Sequence, residues 1–341
     1  MLSNRILIGM GGKCKHQVGI DFGDTKLTSL RKMFDCISYE YNSYYSTITP
    51  WGYAKSIDLS GLDVSQVTDV AYLFTSCSGL TKVDLSSWSE YSKNFTDTSG
   101  MFNRCISLEE VNLNGWDFTK CNVTTLFDSI NTKKMKNLYM NNCNFNRDYY
   151  TSIGKHFTYA DINNVYMNNC IAYHGDFSFG FSGTSKTKLY LQNLKITGDF
   201  NGVERMFENC WGLSYIDLTG ANFGSITRFG YMFMECYSLE KVDFTNSDLS
   251  KAKSMHGMFS NCSALTEVRM SSQLNSSLEV GEEEYDEDYD EWYDSRMFAG
   301  VETTGKFYYN AAYNYSKIIN ILPYKWTAIP CNLTNGVLIP K

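Results

Sequence analysis

Hydrophobic positions along this chain change their period at regular intervals. Phe95, Thr98, Phe102 and Cys105 are spaced three, four and three apart. The same spacing recurs in Val67-Val70-Phe74-Cys77, Phe200-Val203-Phe207-Cys210, Ile226-Phe229-Phe233-Cys236 and Ala252-Met255-Phe259-Cys262. It predicts one inward face of a short helix. After each cysteine the pattern alternates, as in Val83-Asp84-Leu85. Alternation predicts a short strand with Val83 and Leu85 turned in and Asp84 turned out. One short helix and one short strand cannot bury their faces alone, so successive copies must stack on a shared core.

The full unit, Phe-x-x-Cys-x-x-Leu-x-x-Val/Ile-Asp/Asn-Leu/Phe, occurs at Phe74–Leu85, Phe102–Leu113, Phe207–Leu218 and Phe233–Phe244. At Phe259–Met270 it recurs with Arg269 in place of the acid. Divergent copies centre on Ile57, Leu138, Val165, Leu189 and Phe307, so strand starts fall at 57, 83, 111, 138, 165, 189, 216, 242, 268 and 307. The intervals are 26, 28, 27, 27, 24, 27, 26, 26 and 39. The expected fold is an α/β repeat solenoid, leucine-rich-repeat-like, with one parallel strand and a short helix per ~26-residue rung. About ten rungs are expected, and Ile20-Asp21-Phe22 reads as an eleventh, capping copy.

The motif Met-Phe-x-x-Cys-x-x-Leu-x-x-Val-Asp-Leu, seen at Met232–Phe244, resembles the BspA-type leucine-rich repeats of bacterial surface proteins. The resemblance covers roughly residues 55–310 and is loose between 121 and 200. It implies an adhesin or host-interaction protein, and related repeats occur in phage particle proteins. The family usually carries a secretion signal. Here Arg5, the short apolar stretch Ile6–Met10 and Lys13 make a poor one. The expectation is therefore an extracellular or virion-associated chain without a recognisable signal peptide.

Three regions follow. Residues 1–54 form an N-terminal cap, 55–310 the repeat solenoid and 311–341 a C-terminal cap. In the last, Ile318, Ile319, Ile321 and Leu322 predict a short helix stopped by Pro323, with Trp326–Pro330 as a closing segment. The long final interval holds a protruding acidic loop, 279–294, with ten acids and no Lys or Arg. Removing it turns the net charge of −7 into 27 acids against 30 bases. No basic stripe suited to nucleic acid remains, and no apolar run approaches the ~18 residues needed to span a bilayer.

Eleven cysteines include five (Cys77, Cys105, Cys210, Cys236, Cys262) at one repeat position. One thiol per rung cannot converge on a tetrahedral metal, so a buried ladder is expected, with no metal and no cofactor. Asn142, Asn169 and Asn193 share a position just after the strand, suited to capping backbone groups where the chain turns off the sheet.

Candidate chemistry is sparse. Val18–Lys26 resembles the first phosphate motif of sugar kinases and actin-like ATPases, with Asp21 as the metal-positioning acid. No second phosphate loop accompanies it. His16, His156, His174 and His256 fall at unrelated positions, and no catalytic residue is assigned. Asp286, Asp288 and Asp290 have the spacing of a calcium loop, but Glu291 stands where such loops need glycine and Met297 where they need an acid.

The outward strand residues are more informative. In order they are Asp58, Asp84, Asn112, Tyr139, Tyr166, Tyr190, Asp217, Asp243, Arg269 and Tyr308. Three consecutive tyrosines should stack on the open sheet face, with Asn141, Asn168 and Gln192 beside them pointing the same way. Aromatic faces beside amides suit a glycan or a protein loop, while cross-strand aromatic pairs also stabilise a sheet unaided. A second candidate patch is Tyr39, Tyr41, Tyr44, Tyr45, Trp51 and Tyr53, whose alternative role is capping core. The expected function is a non-enzymatic attachment module on a cell or virus surface, such as a phage tail or fibre part binding a host glycan or protein. The alternatives are an architectural subunit that self-associates, and an actin-like ATPase through Asp21.

Overall fold

Strands form where the alternating segments predict them. The computed structural model describes residues 5–10, 17–35, 37–39, 46–48, 54–121, 126–127, 135–145, 157, 161–173, 180–181, 186–197, 202–286 and 291–341. At 5–21, 37–48, 283–293 and Tyr173 the description is of the backbone alone. The chain divides into two compact units, Met1–Thr151 with Lys155–Tyr166, and Ser152–Gly154 with Met167–Lys341.

The first unit holds β1 (Arg5–Met10), β2 (Gln17–Asp21), β3 (Ile37–Tyr39), β4 (Ser46–Ile48), β5 (Ala54–Gly61), β6 (Lys82–Asp84), β7 (Glu110–Asn112), β8 (Met135–Tyr139), β9 (Asn144–Phe145) and β10 (Ile162–Tyr166). Its sheet runs β2-β1-β5-β6-β7-β8-β10. From β5 onward every pairing is parallel, with Val83 opposite Val111 opposite Leu138 opposite Val165. Asp21 ends β2, which pairs antiparallel with β1. Ile20-Asp21 thus belongs to an antiparallel hairpin on the β5 edge, outside the parallel series.

In the second unit are β11 (Ile171–Tyr173), β12 (Thr187–Tyr190), β13 (Lys195–Thr197), β14 (Leu213–Asp217), β15 (Lys241–Phe244), β16 (Glu267–Met270), β17 (Glu283–Asp286), β18 (Glu291–Asp294), β19 (Gly305–Asn310), β20 (Trp326–Thr334) and β21 (Val337–Pro340). The sheet order is β12-β14-β15-β16-β19-β20-β21, parallel as far as β20. Strands β17 and β18 pair antiparallel, so part of the acidic insertion is a β-hairpin. Ser316–Ile319 forms the short C-terminal helix ahead of Pro323, and β20 is the extended segment.

The expected helix in each rung is absent among the described residues. Among the described residues the α-helices are two four-residue turns, Ser89–Ser92 and Ser316–Ile319. The segments with three-four-three spacing are tight turns that bond to the next coil. Backbone N–H groups of Val70, Tyr72, Phe74 and Ser76 donate to the carbonyls of Asp97, Ser99, Met101 and Asn103 at 3.0, 2.8, 2.9 and 2.7 Å. Those of Phe229, Tyr231, Phe233 and Glu235 do the same to Ser254, His256, Met258 and Ser260. An α-helix needs these donors for its own i−4 carbonyls. Left-handed backbone at Tyr72 (φ 56°), Ser76 (φ 61°), Tyr231 (φ 55°) and Glu235 (φ 60°) breaks any helical path.

Ten complete rungs are likewise too many, and the solenoid has about seven turns. Isolated parallel bridges trace those turns through Ser29, Asp69 and Asp97 in the first unit and Gly202, Arg228, Ser254 and Glu279 in the second. The divergent copies between 121 and 200 supply strands whose connecting segments lie largely outside the described residues.

Repeat positions become continuous ladders in the core. Phe34, Phe74, Phe102 and Phe127 stack at 5.7, 5.6 and 5.4 Å. In the second unit Phe207, Phe233, Phe259 and Phe298 stack at 5.2, 5.5 and 5.3 Å. Nine cysteines are buried and unbridged. They are more than small hydrophobes. Four of the five repeat thiols reach back to the preceding coil: Cys77 Sγ donates to the Phe34 carbonyl at 3.2 Å, and Cys105, Cys236 and Cys262 donate to Phe74, Phe207 and Phe233 at 3.0 Å. Burial pushes the Cys236 and Cys262 thiols up, away from thiolate.

Candidate binding surface

The recurring acid of the strand motif has a local task. Asp58, Asp84, Asp217 and Asp243 each accept, through Oδ1, the backbone N–H two residues on, at 3.0, 3.0, 2.9 and 2.8 Å. Such Asx turns bend the chain off the sheet. Where tyrosine takes the position, an amide in the preceding coil does the same work. Asn114 Oδ1 accepts the Asn141 backbone N–H at 2.7 Å, and Asn168 Oδ1 accepts that of Gln192 at 2.9 Å. Asn142, Asn169 and Asn193 follow in left-handed backbone with φ of 58°, 58° and 56°. Asn193 Nδ2 donates to Asn169 Oδ1 at 3.0 Å, so these two amides bond to each other from coil to coil.

In the first unit β8 and β10 put Tyr139 opposite Tyr166, and their half-exposed rings stack at 5.0 Å and 10°. Burial raises the Tyr139 phenol, aided by the negative charge of Glu110. Tyr190 belongs to the second unit. There it lies opposite Asp217 and meets Tyr215 edge-on at 5.7 Å. The amides beside the tyrosines are already engaged. Asn141 Nδ2 donates to Asn114 Oδ1 at 3.1 Å, and Gln192 Nε2 donates to Asp217 Oδ2 at 2.7 Å.

Sequence reasoning missed Tyr215, although it lies two residues before Asp217 and therefore on the same face. It is half-buried, and burial with the charges of Asp217 and Asp243 pushes its phenol well up. Arg269 also acts differently from a lone charge: its guanidinium sits 4.7 Å over the Tyr308 ring and donates to Glu267 at 2.7 Å. Next to this row lie cross-strand pairs such as Lys82–Glu110 at 2.6 Å and Lys241–Glu267 at 3.5 Å. At these exposures they add little stability but mark the face as polar. Two exposed aromatics, Trp211 and Tyr237, follow the repeat cysteines in adjacent coils. The position after the motif cysteine was the available signal.

Of the second candidate patch, Tyr41, Tyr44, Tyr45, Trp51 and Tyr53 lie outside the described residues, as does the Tyr39 side chain at the end of β3. So do His16, His156, His174, Asp288, Asp290 and the Asp286 side chain. His256 touches Ser254 Oγ through Nδ1 and packs edge-on against Tyr231 at 5.0 Å. Among the described residues no helix is long and apolar enough to cross a membrane.

Stacked coils, a parallel sheet and laddered turns define a leucine-rich-repeat-like β-solenoid, a class built to present rows of side chains. Residues 157–279 match the BspA type leucine rich repeat region in six copies, and this repeat region belongs to that family. Residues 51–134 match a second family, described as "Mycoplasma protein of unknown function, DUF285". No curated protein matches the chain. One similar solved structure is a leucine-rich repeat protein from Bacteroides ovatus ATCC 8483. It is 13% identical, covers 97% of this chain and 91% of its own, and has a TM-score of 0.20.

Proposed function

We propose that the chain is a non-enzymatic recognition module whose open sheet face contacts a glycan or protein on a host surface. The observation that carries this reading is the Tyr139–Tyr166 stack, half-exposed on a sheet whose neighbouring polar groups are tied into inter-coil bonds. Rings held that firmly offer apolar contact area at little entropic cost. Display on a cell or a virus particle, including a phage tail or fibre, fits a repeat type common among bacterial surface proteins. Tyr190 and Tyr215 would extend the contact in the second unit.

A glycan array and whole host cells test the reading. Replacing Tyr139, Tyr166 and Tyr190 with alanine should abolish binding without altering the circular dichroism spectrum. Unchanged binding by the triple variant removes that face from consideration.

A second reading, an architectural subunit, has its own support. Strand β21 is the last of its sheet, and exposed Leu333, Val337 and Ile339 lie on the β20–β21 hairpin. An apolar sheet edge favours pairing with another chain. A monomer at micromolar concentration on a sizing column would end this alternative.

A further inference from the structure

On the turn side of the first unit, three successive coils line an open cleft of about 490 Å³. That is within the size range of small-ligand sites, roughly 300–1,000 Å³. At its base Ser76 is only 8% exposed, and its Oγ has no hydrogen-bond partner. Asn103 Oδ1, in the next coil, has none either. Buried polar atoms without partners are rare, and here two lie at the same cleft. A serine hydroxyl needs only a χ1 rotation to meet a ligand.

The lining carries three basic groups and one acid, and two of the basic groups are not held in ion pairs among the described residues. Arg31 is neutralised by Asp69 and Asp97 at 3.2 and 2.9 Å. Arg104 makes no ion pair among the described residues, and Lys32 Nζ lies 5.9 Å from the Tyr72 ring centroid. Asp35 is the lining acid that opposes them. The Tyr72 ring is fixed from behind by Gly100 (φ +57°), where a Cβ would come within 2.5 Å of it. The corresponding turn of the second unit is built otherwise. Glu235 has the left-handed backbone that Ser76 has here, and Arg205 is paired with Glu208. The two basic groups outside ion pairs and the orphan polar atoms therefore belong to the first unit.

We propose that this cleft binds a carboxylate-bearing pyranose, a uronic or nonulosonic acid residue of a glycan. Lys32 and Arg104 would take the carboxylate, and Ser76 and Asn103 the hydroxyls. The site is separate from the tyrosine face and stands whether or not that face binds anything.

Saturation-transfer NMR and calorimetry on the full chain, with glucuronate, N-acetylneuraminate, glucose and inorganic phosphate as probes, test it. Both sugar acids should bind, with glucose at least roughly tenfold weaker. Arg104→Ala, at an exposed position, should weaken the acids by about tenfold and Ser76→Ala by severalfold, while Tyr139→Ala leaves them unchanged. Glucose binding as well as glucuronate would overturn the proposal, as would phosphate binding as tightly as the sugar acids. So would full affinity in Arg104→Ala, or no binding of either acid at millimolar concentration.

Discussion

Phe233 sits at the middle of the second phenylalanine ladder, fully buried, with Phe207 at 5.2 Å on one side and Phe259 at 5.5 Å on the other. Truncation to alanine removes a whole ring, a change that costs about 3–5 kcal/mol in well-packed cores. The value here should fall near the top of that range. The coils on either side are pinned by inter-coil bonds, including Phe233 N–H to the Met258 carbonyl at 2.9 Å, so the cavity cannot close. Phe233→Leu refills much of the volume but removes two stacked pairs, each contributing roughly 0.5–1.5 kcal/mol. It should therefore lose about 1–3 kcal/mol. Urea unfolding followed by circular dichroism gives the global effect, and hydrogen exchange at residues 207–262 gives the local one. Tyr324→Ala, at a position 89% exposed, is the control and should stay within about 0.5 kcal/mol of the parent. A Phe233→Ala loss no larger than that control would refute the ladder as the seat of stability. Strict additivity of Phe233→Leu and Phe259→Leu would refute the stacking contribution.

Three further outcomes are expected. Nine of the eleven cysteines are buried, so no more than two thiols should react with a disulfide reagent before the chain opens; three or more fast thiols would contradict the buried ladder. Gly257 and Gly224 both have left-handed backbone, φ +55° and +58°, but only at Gly257 would a Cβ strike a ring, that of Tyr231 at 2.3 Å. Gly224→Ala should cost about 1 kcal/mol and Gly257→Ala clearly more, part of it recovered in Tyr231→Ala; equal melting temperatures for the two glycine variants would be the wrong result. Burial holds the Asp243 carboxyl above its ordinary value, with Asp217 adding and Thr245 and Arg269 opposing. A raised acid supports the fold when protonated, and that support is lost as pH rises through its folded value. Asp243→Asn should thus melt higher than the parent at neutral pH, and the gap should close below about pH 4; a gap that widens in acid would reverse the reasoning.

Much of the fold was legible because strand residues repeat with period two and because the copies recur every 24 to 28 residues through most of the chain. The cysteine rows and the Tyr139–Tyr166 stack follow directly from those facts. The turn segments were misread for a physical reason. Cys77 N–H bonds to the Phe74 carbonyl and Leu80 N–H to the Cys77 carbonyl, at 3.0 and 3.1 Å, so consecutive tight turns reproduce the three-residue spacing of a helix face. Only the left-handed residues separate the two cases. At Tyr72, Arg104, Arg205, Tyr231 and Glu235 those are not glycine, and nothing in their type announces the conformation. The task of Asn141, Asn168 and Gln192 was hidden for a different reason, since it becomes visible only once the bond from one coil to the next is drawn.

The repeat thiols point one way. Cys77, Cys105, Cys236 and Cys262 lean on carbonyls made earlier in the chain, at Phe34, Phe74, Phe207 and Phe233. For its sulfur a coil thus depends on its predecessor, while its turn N–H groups depend on its successor. Whole coils can accordingly be duplicated or excised between Phe207 and Phe259 without orphaning a sulfur. An insertion of part of a coil must instead loop out, as the β17–β18 hairpin does while β16 and β19 stay in register. Lineages carrying this architecture can change length in quanta of one coil, resizing whatever surface they display while the interior stays the same.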